Sequence, residues 1–138
     1  PVGTITKRDA ELLRMTRDAL MTGIAEAEGG KRTGDIGHAV EKFVNKKYGI
    51  VRILSGHGVG REIHEDPYIP NFGKKGTGEL LVPGMVVAIE PMLNVGTGEV
   101  LLDRDGYTIK TADGKRSAHF EHTILITENG PEILTEHE

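Results

Sequence analysis

The chain has 138 residues, 37% hydrophobic and 28% charged, which is enough for one domain with a core of its own. Its 17 Lys plus Arg against 21 Asp plus Glu leave a formal charge of −4, so it offers no basic field to a nucleic-acid backbone. With 0 cysteines, disulfides, thiolate metal sites and a cysteine nucleophile are excluded, and a reducing compartment fits.

No apolar run approaches the roughly 20 residues of a membrane helix, and no charged-then-apolar leader opens the chain, so no membrane partner and a cytoplasmic location are expected. The start at Pro1, without an initiator Met, permits a processed or excised chain. Thr6 followed by Asp9 resembles a capping box, and Leu12, Leu13, Thr16, Leu20 and Ile24 recur at helical spacing. These predict a helix over about Lys7 to Ala27, ended by Gly29 and Gly30. Thr33 is the expected cap of a second helix, in which Ile36, Val40, Phe43, Val44 and Lys47 share a face until Gly49. From Ile50 the pattern changes to the β-rich runs IVRILS, MVVAIEPML, EVLLDRD, YTIKTA and HTILITE, predicted as antiparallel strands and hairpins. No repeat or linker-like break divides residues 1–138. Two helices followed by strands predict an α+β fold, with the helices packed on one face of an antiparallel sheet.

The chemistry gathers around histidines and glutamates. His57 lies in Gly56-His57-Gly58-Val59-Gly60, where glycines permit positive φ and a close approach to a ligand. The alternative is a glycine-rich turn with an incidental surface imidazole. A dinucleotide loop is rejected, because Arg61 stands where its third glycine is needed and a strand-like run follows. Glu90 closes the apolar stretch VVAIE, and Pro91 forces extended geometry on it. A carboxylate there needs a charged partner, a metal or solvation at the strand end. Glu121 sits between His119 and His122. Strand alternation puts His119, Glu121 and Thr123 on one side and leaves His122 to the other face or to a hydrogen-bond network.

Zinc signatures fail: H-E-x-x-H needs a histidine where Tyr68 stands, and H-x-x-E-H needs one where Ala118 stands. What remains is a sulfur-free set of one His and two Glu, suited to Mn(II), Fe(II), Co(II) or Zn(II). A bridging carboxylate would fit two ions about 3.5–4 Å apart. Asp9, Asp18 and Asp35 read as capping or solvated residues, and Asp103, Asp105 and Asp113 as turn residues. His38 reads as a surface or boundary residue, and Lys74 and Lys75 as part of a loop.

The stretches SGHGVGREIHEDP, LVPGMVVAIEPML, DGYTIKT and SAHFEHTILITENGPEILT, in this order, resemble the carboxyl-terminal half of the type I methionine aminopeptidases. These are metallopeptidases of pita-bread fold, and the opening helices fit the same half. The resemblance implies that His57, Glu90 and Glu121 are metal ligands for two divalent ions, Co, Mn, Fe or Zn. It implies that His64 contacts substrate and steadies the transition state, and that Ile63 and Tyr107 help wall the methionine pocket. Glu90 would take the proton of the attacking water, and His64 would stabilise the developing oxyanion. The implied substrates are the N-termini of nascent polypeptides. The family's other half supplies two more metal-binding aspartates and another substrate-binding histidine, which no residue here matches. The resemblance therefore implies a truncated enzyme, with residues 1–138 the carboxyl-terminal part of a single catalytic domain and the amino-terminal half as its missing partner. Such a chain is expected to have little activity alone. A non-catalytic pita-bread module that binds peptides or proteins is the alternative.

Overall fold

The computed structural model describes residues 1–136. Helix α1 spans Lys7–Ile24. The Thr6 hydroxyl accepts the Asp9 N–H at 3.1 Å and donates to Asp9 Oδ2 at 2.8 Å, which gives the predicted cap. The helix stops three residues before the expected Ala27, because Glu26 and Ala27 donate to Gly23 and Ile24 and tighten its last turn. Helix α2 spans Thr33–Val44, and here the expected cap shifts by one residue. Arg32 is the N-cap, and its N–H donates to Asp35 Oδ2 at 2.8 Å. The Thr33 hydroxyl instead accepts the Glu79 N–H at 3.2 Å. Asn45 and Lys46, with φ of 46° and 60°, end the helix before Lys47 can join it.

The strands are β1 (Gly49–Ile50), β2 (Gly56–Gly58), β3 (Glu65–Ile69), β4 (Val86–Ile89), β5 (Met92–Asn94), β6 (Val100–Leu102), β7 (Ile109–Thr111), β8 (Ser117–His119), β9 (His122–Thr127) and β10 (Gly130–Ile133). They form a five-stranded sheet of order β10-β9-β4-β2-β3, a three-stranded sheet β1-β5-β8 and the hairpin β6-β7. All these pairings are antiparallel, as expected.

Both helices pack on these sheets. Leu20, Ile24 and Ile36 meet Ile69, Leu81, Val87, Ile89, Ile124 and Ile126 beneath the larger sheet. Leu12, Ala19, Val40 and Val44 meet Tyr48, Leu93 and Ala118 beneath the smaller one. The arrangement is α+β, two helices on antiparallel sheets. No helix among the described residues is long and apolar enough to cross a membrane.

Of the expected strand IVRILS only Ile50 lies in a strand, and two further differences from the sequence expectation position the site. The run MVVAIEPML is broken at Glu90-Pro91 into β4 and β5, which belong to different sheets. Opposite this break, Phe120 and Glu121 separate β8 from β9. The registers Ile89↔His122 and Met92↔His119 bracket the two breaks, so they face each other across one seam. The second difference is that His57 lies in a strand, β2, which is paired on both sides, by β4 and by the edge strand β3.

Candidate metal centre

Strand β2 carries His57 between β3 and β4, and its glycines serve a purpose other than the one expected. None of Gly56, Gly58 and Gly60 has a positive φ. A Cβ on Gly56 would instead run into the Ala88 carbonyl oxygen, and one on Gly58 into that of Asp66. The glycines let neighbouring backbones close on both sides of His57. Pairing shifts register between Gly56 and Gly58, and His57 itself pairs with Ala88 of β4. The imidazole is thus held by a strand paired on both sides. Its Nδ1 lies 2.9 Å from the Gly58 carbonyl oxygen, which favours a proton on Nδ1 and leaves Nε2 free to accept or ligate.

Glu90 enters from the seam immediately after β4. Its side chain is 12% exposed, and that of His57 is 15% exposed. Glu90 Oε1 lies 3.4 Å from His57 Nε2. The Glu90 carbonyl oxygen accepts a 3.3 Å hydrogen bond from Nδ2 of the fully buried Asn71. Glu121 arrives from the facing break. One ligand atom from each of His57, Glu90 and Glu121 lies within 4.8 Å of the others. Metal bonds of about 2.0–2.2 Å bring donors this close around one ion or two adjacent ions. One nitrogen and two carboxylates, partly shielded by a sheet, therefore fit a divalent cation.

The structure places the remaining expected residues around this cluster with different degrees of closeness. The His64 ring centroid is 4.2 Å from that of His57, with the rings inclined by 55°, so this imidazole stands beside the cluster. Ile63, its neighbour in the β2–β3 loop, is exposed. Tyr107 lies in the turn of the β6-β7 hairpin and is 90% exposed, so the described residues do not close a pocket over it. His122 Nδ1 lies 2.9 Å from the Thr135 hydroxyl, in the hydrogen-bond network expected as one possibility. Asp35 caps α2, Asp105 accepts from Tyr107 and Thr108 in its turn, and Asp113 accepts from Lys115 in another. His38, half-buried with Nδ1 at 3.4 Å from the Gly73 carbonyl oxygen, is a boundary residue.

Two contacts had not been assigned from sequence. Asn71 holds the Glu90 backbone, and its own identity gives no signal because the contact crosses 19 positions. His119 Nε2 lies 3.3 Å from Glu90 Oε2. The hydrogen bond to Glu90, aided by the negative charges of Glu90 and Glu121, raises the His119 pKa above its ordinary value despite partial burial. Here the sequence did hold a signal, since His119 stands two positions before Glu121 and so shares its side of an extended chain.

The sequence profile of metallopeptidase family M24 matches residues 1–128. The chain belongs to this family. This M24 chain is 49% identical over 136 residues to methionine aminopeptidase 1 of Bacillus subtilis, covering 98% of itself and 55% of that relative. It matches the solved methionine aminopeptidase of Thermotoga maritima with 50% identity and a TM-score of 0.94, over 99% of this chain and 55% of that one. For the Rickettsia prowazekii methionine aminopeptidase the identity is 42% and the TM-score 0.94, with coverages of 97% and 55%. The fold is thus the expected pita-bread arrangement, and the M24 chain spans about half the length of the relatives it matches. Membership of a metallopeptidase family implies the use of divalent metal, which the donor set of His57, Glu90 and Glu121 suits.

Proposed function

We propose that residues 1–138 are the carboxyl-terminal part of a single catalytic domain that removes the N-terminal methionine from nascent polypeptides in the cytoplasm. The observation that carries this reading is the convergence of His57, Glu90 and Glu121 within 4.8 Å at the seam between two sheets. These three residues would hold two divalent ions of Mn, Fe, Co or Zn. When bound, such ions supply Lewis acidity toward water and the scissile carbonyl.

The chain's own groups do the rest. Glu90 takes the proton of the attacking water at its carboxylate. His64, beside His57, donates a hydrogen bond to the oxyanion that develops on the carbonyl oxygen. Ile63 and Tyr107 form part of the wall for the methionine side chain. Both are too exposed to bury that side chain by themselves, so the wall is completed by the segment that relatives of greater length possess. The same holds for the ligands. Three protein donors converge among the described residues, and two more are needed to fix two ions and balance their charge. We expect this chain alone to bind ions weakly and to release little methionine.

The test is release of methionine from a Met-Ala-Ser peptide with added Mn(II) or Co(II). It compares residues 1–138 with the same chain preceded by the remaining half found in its relatives. Activity only in the longer protein supports the reading. Activity in neither favours a peptide- or protein-binding module instead, and full activity in the short chain removes the claim of incompleteness.

A further inference from the structure

We infer that His119 is a positioning residue that fixes which way the Glu90 carboxylate faces. The inference rests on the reading of Glu90 as a metal ligand. A glutamate has a freely turning terminal torsion, and its two oxygens are chemically equivalent until something distinguishes them. In this structure, two imidazoles distinguish them. Oε2 lies 3.3 Å from His119 Nε2, and Oε1 lies 3.4 Å from His57 Nε2. The Glu90 main chain is already held by Asn71 and followed by Pro91, so the His119 contact immobilises the part that is left.

The origin of this contact lies in the seam. His119 is the last residue of β8 and pairs with Met92, two positions after Glu90. His119 thus stands immediately before the Phe120-Glu121 break, and the register carries it across to Glu90. His119 is not itself grouped with the ligands, since His57, Glu90 and Glu121 share the converging donor atoms without it. Its Nε2–H donates to one Glu90 oxygen and leaves the other directed at His57. Partners of this kind, outside the ligands but bonded to them, typically change metal affinity by about 10–100-fold.

The experiment has two readouts on residues 1–138. In the metal-free chain, side-chain ¹⁵N NMR follows the imidazole nitrogens of His119 and His122 with and without Glu90→Gln. We expect the His119 Nε2 signal to move and the His122 signals to stay. An unmoved His119 signal overturns the proposal. In parallel, Mn(II) binding is measured for the unaltered chain, His119→Ala, His119→Gln and Glu90→Ala. His119→Ala should weaken binding by about 10–100-fold, and His119→Gln, which keeps an N–H donor, should restore most of it. Equal binding in His119→Ala overturns the proposal. So does a loss in His119→Gln as deep as in Glu90→Ala, because His119 would then be a ligand. If the unaltered chain binds no Mn(II) while the His119 signal still responds to Glu90→Gln, the positioning contact stands and the metal reading of this chain fails.

Discussion

Glu121 and Glu90 are of one residue type, yet their surroundings differ, and so do the expected effects of changing them. Glu121 is exposed, whereas Glu90 is largely buried, its carbonyl accepting from Asn71 and its carboxylate from His119. Glu121→Gln should therefore reduce divalent-ion affinity with little change in thermal midpoint. Glu90→Ala should do both, since it leaves the His119 N–H without its acceptor and empties a largely buried space. Calorimetric titration with Mn(II) beside a thermal melt separates the two effects. Gly58 offers a different test, because its constraint is the Asp66 carbonyl of the adjacent strand and not a left-handed φ. Gly58→Ala should cost about 1–3 kcal/mol in a urea titration, as overpacking against a backbone usually does, and should weaken ion binding by displacing His57. Stability unchanged by Gly58→Ala would mean that the strands around His57 have room to spare.

At the scale of elements, the N-terminus of α2 joins the helix to the loop at 74–79. Asp35 is 8% exposed and accepts N–H groups from both Arg32 and Gly76 at 2.8 Å. Burial pushes its carboxyl up, but the Gly76 and Arg32 hydrogen bonds and the nearby Lys75 and Lys31 outweigh this and leave it below the ordinary 3.8. A depressed folded pKa gives stability that is present above the unfolded value and lost as pH falls through the folded one. Urea midpoints should thus fall below about pH 4, and Asp35→Asn should show less of that fall while losing about 1–3 kcal/mol near neutrality. An identical acid profile in Asp35→Asn would show that other carboxylates carry the effect. The helices and the β6-β7 hairpin were legible in the sequence because periodicity, caps and alternation are local signals, whereas only Ile50 of the expected strand IVRILS lies in a strand and β3 and β10 were not foreseen. Strand β2 was not, because glycine lacks strand propensity and its place is set by neighbours on either side. The break at Glu90-Pro91 was half visible, as a proline after a carboxylate. That its counterpart at Phe120-Glu121 lies opposite could be learned only from the register. His57, Glu90 and Glu121 were found as types, whereas the bond from His119 to Glu90 required knowing which chains cross.

For the molecule as a whole, the distribution of apolar surface is uneven. Leu101 and Leu102 on β6 are 59% and 64% exposed, and Ile109 on the paired β7 is also exposed. A relative of full length has almost as many residues again as this chain, and apolar surface of this kind is commonly covered by another segment or partner. In residues 1–138 alone, binding of a hydrophobic dye should be appreciable. Leu101→Ser with Leu102→Ser should lower it without moving the thermal midpoint, because neither side chain belongs to the core. A falling midpoint would show that the hairpin contributes to folding.

The seam has a further consequence for which length changes the chain can accept. The intervals Ile89 to Met92 and His119 to His122 each hold two residues outside the ladders, joined across the seam by the Phe120 N–H donating to the Pro91 carbonyl oxygen at 3.5 Å, and both are pinned at either end by the same two registers. One extra residue in either interval would turn every following side chain to the opposite face of its strand. An extra residue in both could let the registers re-form with the two sheets intact. Insertions and deletions at these two sites should therefore be inherited as a pair or not at all, although 31 positions separate Glu90 from Glu121 along the chain.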